Sequence, residues 1–209
     1  MITIGFVRHG STQWNKEGRV QGSSDIPLDK DGLDEASLLA ERISHEQWDR
    51  VFSSSLLRAL QTANKLALHT RETKVHLDLR LREAGGGLIE GTTEAERVAK
   101  WGVNWREQDL GIENAESMIS RGTSFLDEMS AQYAGQHILI VSHGSFIRTM
   151  LRKLVPDTGR DTVLDNTSLS VLRYDLCTWS CELYNCTRHL IGRETAYEGP
   201  SQETEKIVR

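Results

Sequence analysis

Arg8 and His9 stand directly after the apolar run Ile2 to Val7, and His143 stands directly after a second run, Ile138 to Ser142. Imidazole can serve as a nucleophile or a proton carrier, and guanidinium grips oxyanions two oxygens at a time. A third short run, Arg50 to Ser53, leads through Ser54 and Ser55 into an amphipathic segment with Arg58 in its first turn. Were these runs neighbouring parallel strands, Arg8, His9, Arg58 and His143 would meet at one sheet edge, where open α/β sheets bind their ligands. Four cationic or potentially cationic groups repel one another unless an anion lies between them. Arginine forks and helix N-termini both suit phosphate, so the pattern predicts a phosphate pocket.

The elements that must position these residues are legible in the period of the apolar pattern. Leu33, Ala36, Leu39, Ala40 and Ile43 recur at helical spacing after Gly32, and Leu56, Leu57, Leu60, Ala63, Leu66 and Ala67 do so after Ser55. Both helices are expected to lie on the sheet. Further helices are predicted over Glu94 to Trp101, over Ala115 to Tyr133 with Ile119, Phe125, Leu126 and Met129 on one side, and over Phe146 to Leu154, which ends before Pro156. Ser168 to Tyr174 and Trp179 to Cys186 alternate as strands around a turn at Asp175 to Thr178. Strands and helices that alternate in this way specify an α/β protein.

At 209 residues the chain suits one continuous domain, expected over residues 1–192, with a polar tail over 193–209. The formal charge of −5 gives no broad basic field for nucleic acid or an anionic membrane. No apolar run approaches the roughly 20 residues that span a bilayer, and the chain opens on a strand without a signal-peptide pattern. A cytoplasmic protein, monomer or homodimer, is the expectation. Cys177, Cys181, Cys186 and His189 form C-x3-C-x4-C-x2-H, which admits zinc. The tight C-x2-C knuckle is missing, however, and Trp179, Leu183 and Tyr184 read as strand alternation with reduced packing cysteines. No metal site is assigned.

The motifs also resemble those of the histidine phosphatases with the phosphoglycerate mutase fold. Arg8, His9, Gly10, Thr12 and Asn15 meet R-H-G-x-T-x-x-N, with Ser11 where Glu is frequent. Gly18-Arg19-Val20-Gln21-Gly22, Asp25, Pro27-Leu28 and Gly32 are similar to the loop that follows, with Asp29 in place of Thr. Ser53 to Ala63 resembles S-S-P-L-x-R-A-x-Q-T-A, with Ser55 in place of Pro. Leu81-Arg82-Glu83 with Gly87, Glu90 and Gly91 resembles the acid motif, Gly111 to Arg121 a degraded G-G-E-S segment, and Val141 to Gly144 the second-histidine motif. The resemblance covers roughly residues 2 to 190. It implies a three-layer αβα sandwich with a mostly parallel central sheet.

It further implies phosphoryl chemistry on a small phosphate ester. His9 would be the nucleophile, Arg8, Arg58 and protonated His143 would stabilise the transferring group, and Asn15, Gln21, Gly22 and Gly144 would contact substrate. Glu83 would be the acid. A carboxyl group beside a phosphate and partly desolvated by Leu81 and Leu88 would hold a proton near neutral pH, with Arg82 pulling the other way. The scheme needs no cofactor, and the cationic side chains stand in for a metal.

Residues 91–116 are few for the enclosing insertion of a cofactor-dependent mutase, and Ala84-Gly85-Gly86-Gly87 replaces the mutase-like segment after the acid. A phosphatase acting through phosphohistidine is therefore expected. The alternatives are a phosphoglycerate mutase and a catalytically silent phosphoryl-binding protein. Glu94, Glu96, Glu107, Asp109 and Glu113 are expected to form an acidic rim that disfavours a second phosphate.

Overall fold

The runs that precede the two histidines form adjacent parallel strands near the centre of one sheet. The computed structural model describes residues 1–156 and 162–191, so the predicted tail over 193–209 lies outside the described residues. The strands are β1 (Ile2–Arg8), β2 (Arg50–Ser53), β3 (Val75–Leu77), β4 (His137–Ser142), β5 (Leu169–Asp175) and β6 (Thr178–Cys186). Their order is β3-β2-β4-β1-β5-β6. The pairings from β3 through β1 are parallel, and β5 and β6 add antiparallel. The helices are α1 (Gln13–Lys16), α2 (Lys30–Ile43), α3 (Leu57–Ala67), α4 (Glu94–Trp101), α5 (Ala115–Gln132) and α6 (Gly144–Leu154).

Alternation across the pleat sends the residues of each central strand to opposite layers. Ile2, Ile4 and Phe6 of β1 and Ile138 and Ile140 of β4 pack with Phe125, Met129, Phe146 and Met150 of α5 and α6. Val7, Leu139 and Val141 pack instead with Leu39, Ile43, Ala59, Ala63 and Leu66 of α2 and α3. Strands buried on both faces demand helices on both, which makes the αβα sandwich. Gly5 points to the α2 and α3 side, where a Cβ would come within 2.7 Å of the Trp48 ring.

Several expectations need correction. Leu33 is 38% exposed and does not belong to the buried face of α2. Ile119 is only half-buried, and Met118 and Gly122 take its place against the core. The second-histidine helix begins at Gly144 rather than Phe146. β3 has three residues, none fully buried, and so carries almost no apolar signal. The predicted turn is present, with Leu176 and Cys177 at φ 47° and 62°, the left-handed pair that a two-residue hairpin turn requires. The zinc-like spacing ends up along this hairpin: Cys177 is exposed at the turn, and Cys181 and Cys186 are half-buried in β6. Among the described residues no helix is long and apolar enough to cross a membrane.

Candidate active site

Parallel register carries the ends of β1 and β4 to the same level, with Val7 opposite Val141 and Arg8 opposite Ser142. The ladder extends one step further through His9 N–H, which donates to Ser142 O at 3.0 Å. His9 and His143 therefore leave the sheet side by side, with ring centroids 5.2 Å apart. Both side chains are buried, at 3% and 0% exposure. Burial, followed by the charges of Arg58 and Arg8, pushes the His9 imidazole well below its ordinary range. Its Nδ1 lies 2.8 Å from Gly10 O, a carbonyl that can only accept, so the proton sits on Nδ1 and Nε2 keeps its lone pair.

His143 departs from the protonated form expected of it. Burial first, then the charges of Arg58, His9, Arg8 and Arg121, hold it well below its usual value, which favours the neutral ring. Nε2 lies 2.8 Å from Ser54 Oγ, and Nδ1 is buried without a partner among the described residues. Ser54 was not singled out from the sequence as a site residue, although it lies inside a motif and one residue beyond β2.

Arg58 is wholly buried. It donates from Nη1 to Ser24 O at 2.8 Å and from Nη2 to Gly22 O at 2.9 Å, while Nε has no partner among the described residues. Burial lowers its pKa to about 10. The positive φ of Gly22, 50°, turns the loop so that its carbonyl meets Arg58, and a Cβ there would strike the Glu90 carboxylate. Arg8 donates from Nη1 to Leu164 O. Asn15 Oδ1 accepts from Thr12 and from Asn166 Nδ2, which leaves the Asn15 amide N–H groups as its donors to a ligand. Gln21 Oε1 is buried and has no partner among the described residues. Gly144 opens α6 beside Arg8, whose Nε would lie 3.5 Å from a Cβ at that position.

Glu83 is held by the first turn of α6. Oε2 accepts from Ser145 N–H at 3.1 Å, and Oε1 accepts from Phe146 N–H at 3.0 Å and Ala84 N–H at 2.9 Å. By lone-pair count the open position for a proton is on Oε2. Leu81 is buried as expected, but Leu88 is 63% exposed and does not desolvate the carboxyl group. The glycine run that follows is clamped rather than loose. Gly86 N–H donates to Glu90 Oε1 at 2.9 Å, Glu113 N–H donates to Gly85 O at 2.8 Å, and Leu88 N–H donates to Leu110 O at 2.9 Å. At Gly87 a Cβ would lie 2.1 Å from Leu110 O, so only glycine permits that approach.

One cavity of about 480 Å³ is lined by Arg8, His9, Asn15, Gln21, Gly22, Arg58, Glu83 and Gly144 together. His143 is not part of the lining. Sequence reasoning missed Ser145, Arg148 and the apolar residues Ile112, Val163 and Leu164 that complete the wall. Trp105 also lines it, held by an Nε1–H bond of 3.0 Å to Glu94 and flanked by the guanidinium groups of Arg97 and Arg106. The expected acidic rim is absent from the lining. Glu94 pairs with Arg97 and Arg106, Glu96 with Arg19, and Glu113 with Arg121. The lining itself carries four arginines, Arg8, Arg19, Arg58 and Arg148, against the single carboxylate of Glu83.

Comparisons with known proteins bear on the family and the fold. The chain is 32% identical over 198 residues to phosphoglycerate mutase-like protein 4 of Arabidopsis thaliana, covering 90% of this chain and 86% of that one. A mutant phosphoserine phosphatase from Entamoeba histolytica, in complex with phosphoserine, superposes with a TM-score of 0.79 at 28% identity, over 91% of this chain and 100% of that one. A mycobacterial glucosyl-3-phosphoglycerate phosphatase superposes with a TM-score of 0.77 at 26% identity, over 88% and 99%. Residues 4–187 match the histidine phosphatase superfamily (branch 1), and this chain belongs to that superfamily.

Proposed function

We propose that the protein is a phosphomonoester hydrolase that works through a phosphohistidine at His9. The observation that carries this reading is the committed tautomer of His9, whose Nδ1–H is occupied by Gly10 O and whose Nε2 lone pair remains available in a cavity lined by arginine. In the first step Nε2 attacks phosphorus as the P–O bond to the alcohol breaks, and Glu83 gives its proton to the departing alkoxide. Arg8 and Arg58 neutralise the equatorial oxygens. His143 contributes as a neutral donor from Nδ1, with Nε2 accepting from the Ser54 hydroxyl. In the second step the Glu83 carboxylate takes a proton from water, the resulting hydroxide attacks phosphorus, and the P–N bond breaks. Inorganic phosphate leaves and both side chains return to their starting states.

Water must reach the phosphoenzyme for this outcome, and the shortness of the 91–116 segment, of which Trp105 and Ile112 line the cavity, supports hydrolysis over mutase chemistry. Support also comes from the phosphatases among the solved structures that resemble the chain. The mutase reading is favoured by the name of the Arabidopsis relative.

Quenched incubation with a labelled phosphodonor is expected to give an acid-labile, base-stable adduct that His9→Ala abolishes, and phosphate release is expected to survive EDTA. Label retained in His9→Ala would remove the nucleophile. Incubation with 3-phosphoglycerate, with and without a bisphosphate primer, separates the two readings. Primer-dependent 2-phosphoglycerate formation that outpaces phosphate release would make the protein a mutase.

A further inference from the structure

The arginines of the cavity differ in what they already hold. Arg58 holds the carbonyls of Gly22 and Ser24, and Arg8 holds Leu164 O. Arg19 donates to Gly91 O and pairs with Glu17 and Glu96. Arg148 lines the same cavity, is half-buried, and has no hydrogen bond or ion pair among the described residues. Its guanidinium therefore brings five N–H donors to the cavity wall with no protein acceptor among the described residues.

Its place on α6 defines where that anion sits. Gly144 and Arg148 are four residues apart, so they share a helix face with a rise of roughly 6 Å between them. Gly144 is beside Arg8, at the phosphoryl end. Arg148 therefore serves a group about one helical turn further out, on the alcohol half of a small substrate. The charge of the lining selects that group. Arg19 is already matched by Glu17 and Glu96, so Arg8, Arg58 and Arg148 give +3 when Glu83 carries the proton of its proposed acid role and both histidines are neutral. A phosphate dianion leaves one positive charge over, which one carboxylate matches and a second phosphate dianion exceeds. A planar carboxylate also fits the guanidinium fork with two parallel bonds.

We infer that Arg148 binds a carboxylate on the leaving alcohol, so that the substrates are phosphate esters of small hydroxy acids. This deepens the phosphatase reading and rests on it.

The test compares 3-phosphoglycerate with glycerol 3-phosphate, which carries a hydroxymethyl group in place of the carboxylate. The wild type is expected to favour 3-phosphoglycerate in kcat/KM. Arg148→Ala should cut that preference by roughly 10- to 100-fold, mainly through KM, and Arg148→Lys should restore part of it. A preference untouched by Arg148→Ala would overturn the inference. So would a wild type that favours 1,3-propanediol bisphosphate over both esters, because the second anion would then be a phosphate. If the wild type fails to hydrolyse even p-nitrophenyl phosphate, the phosphatase reading falls by itself. Calorimetric binding of 3-phosphoglycerate to the wild type and to Arg148→Ala then still decides the role of Arg148, with equal affinities counting against it.

Discussion

Ser54 Oγ lies 2.8 Å from His143 Nε2, and this bond determines which nitrogen of the buried second histidine can face a phosphoryl group. Ser54 Oγ also accepts from Leu56 N–H at 3.2 Å, and when its own proton is given to the imidazole, as in the proposed mechanism, Nδ1 carries the ring hydrogen. Removing the hydroxyl frees the ring to adopt the other tautomer. Ser54→Ala is expected to lower kcat roughly 10-fold, with a smaller effect on KM, because the Nδ1 donor acts on the transferring group. Nitrogen chemical shifts of labelled His143 provide the check. A single Nδ1–H tautomer in both proteins would separate Ser54 from the orientation of the ring.

Neutral His9 and His143 make stability depend on pH in a defined direction. Both folded values lie below the ordinary 6.5, so beneath that pH the unfolded chain binds more protons than the folded one. Stability then falls as pH falls, by at most about 1.4 kcal/mol per pH unit for each imidazole. Urea midpoints are expected to drop between pH 7.5 and 5.5, and the drop should be smaller in His143→Asn. Inorganic phosphate should reduce the wild-type drop, since a bound anion offsets the charge of a protonated ring. An unchanged slope in His143→Asn would contradict the neutral assignment.

Much of this site was legible in sequence because its chemistry is concentrated at strand ends. Arg8, His9 and His143 follow apolar runs whose buried state on both faces leaves no ambiguity about where the strands stop. Ser54 and Arg148 were missed for different reasons. A serine in a run of three carries no signal of its own until the register of β2 against β4 brings it to His143. Arg148 reads as one more charge on an amphipathic helix, and only the cavity distinguishes it from Arg152 four residues later. The supposed acidic rim failed because a sequence shows charges without their partners. Asp29, which stands where Thr is usual, caps α2 by accepting from Gly32 N–H at 2.8 Å, a role that Thr can also fill.

The glycines near His9 are set by backbone contact between the loop after β1 and the start of α2. A Cβ on Gly10 would lie 2.5 Å from Gly32 O, and one on Gly32 would lie 2.1 Å from Ser11 O. Neither obstacle is a flexible side chain. Gly32→Ala is therefore expected to cost about 1–3 kcal/mol or more of stability, read from the urea midpoint at pH 7.5. It should also displace His9 enough to lower turnover in the protein that remains folded. A variant of wild-type stability would mean that the α2 start can move away from the loop freely.

Glu83 has two duties, and its substitution must separate them. As the proposed acid it supplies a proton to the leaving alkoxide, and as a cap it engages the N–H groups of Ser145 and Phe146. Glu83→Gln retains one oxygen acceptor but presents an amide NH2 where the other oxygen stood, and that group faces a donor. A loss of about 1–2 kcal/mol in stability is expected from the impaired cap alone. Turnover measured well below the unfolding temperature isolates the chemical duty. For an alkyl phosphate, whose alkoxide needs protonation, kcat should fall by roughly 10²-fold or more, whereas for p-nitrophenyl phosphate the fall should be much smaller. Arg58→Ala should penalise both substrates alike, since charge on the equatorial oxygens must be neutralised whatever the leaving group. Equal losses with both substrates in Glu83→Gln would assign the residue to the cap and leave the proton to another donor.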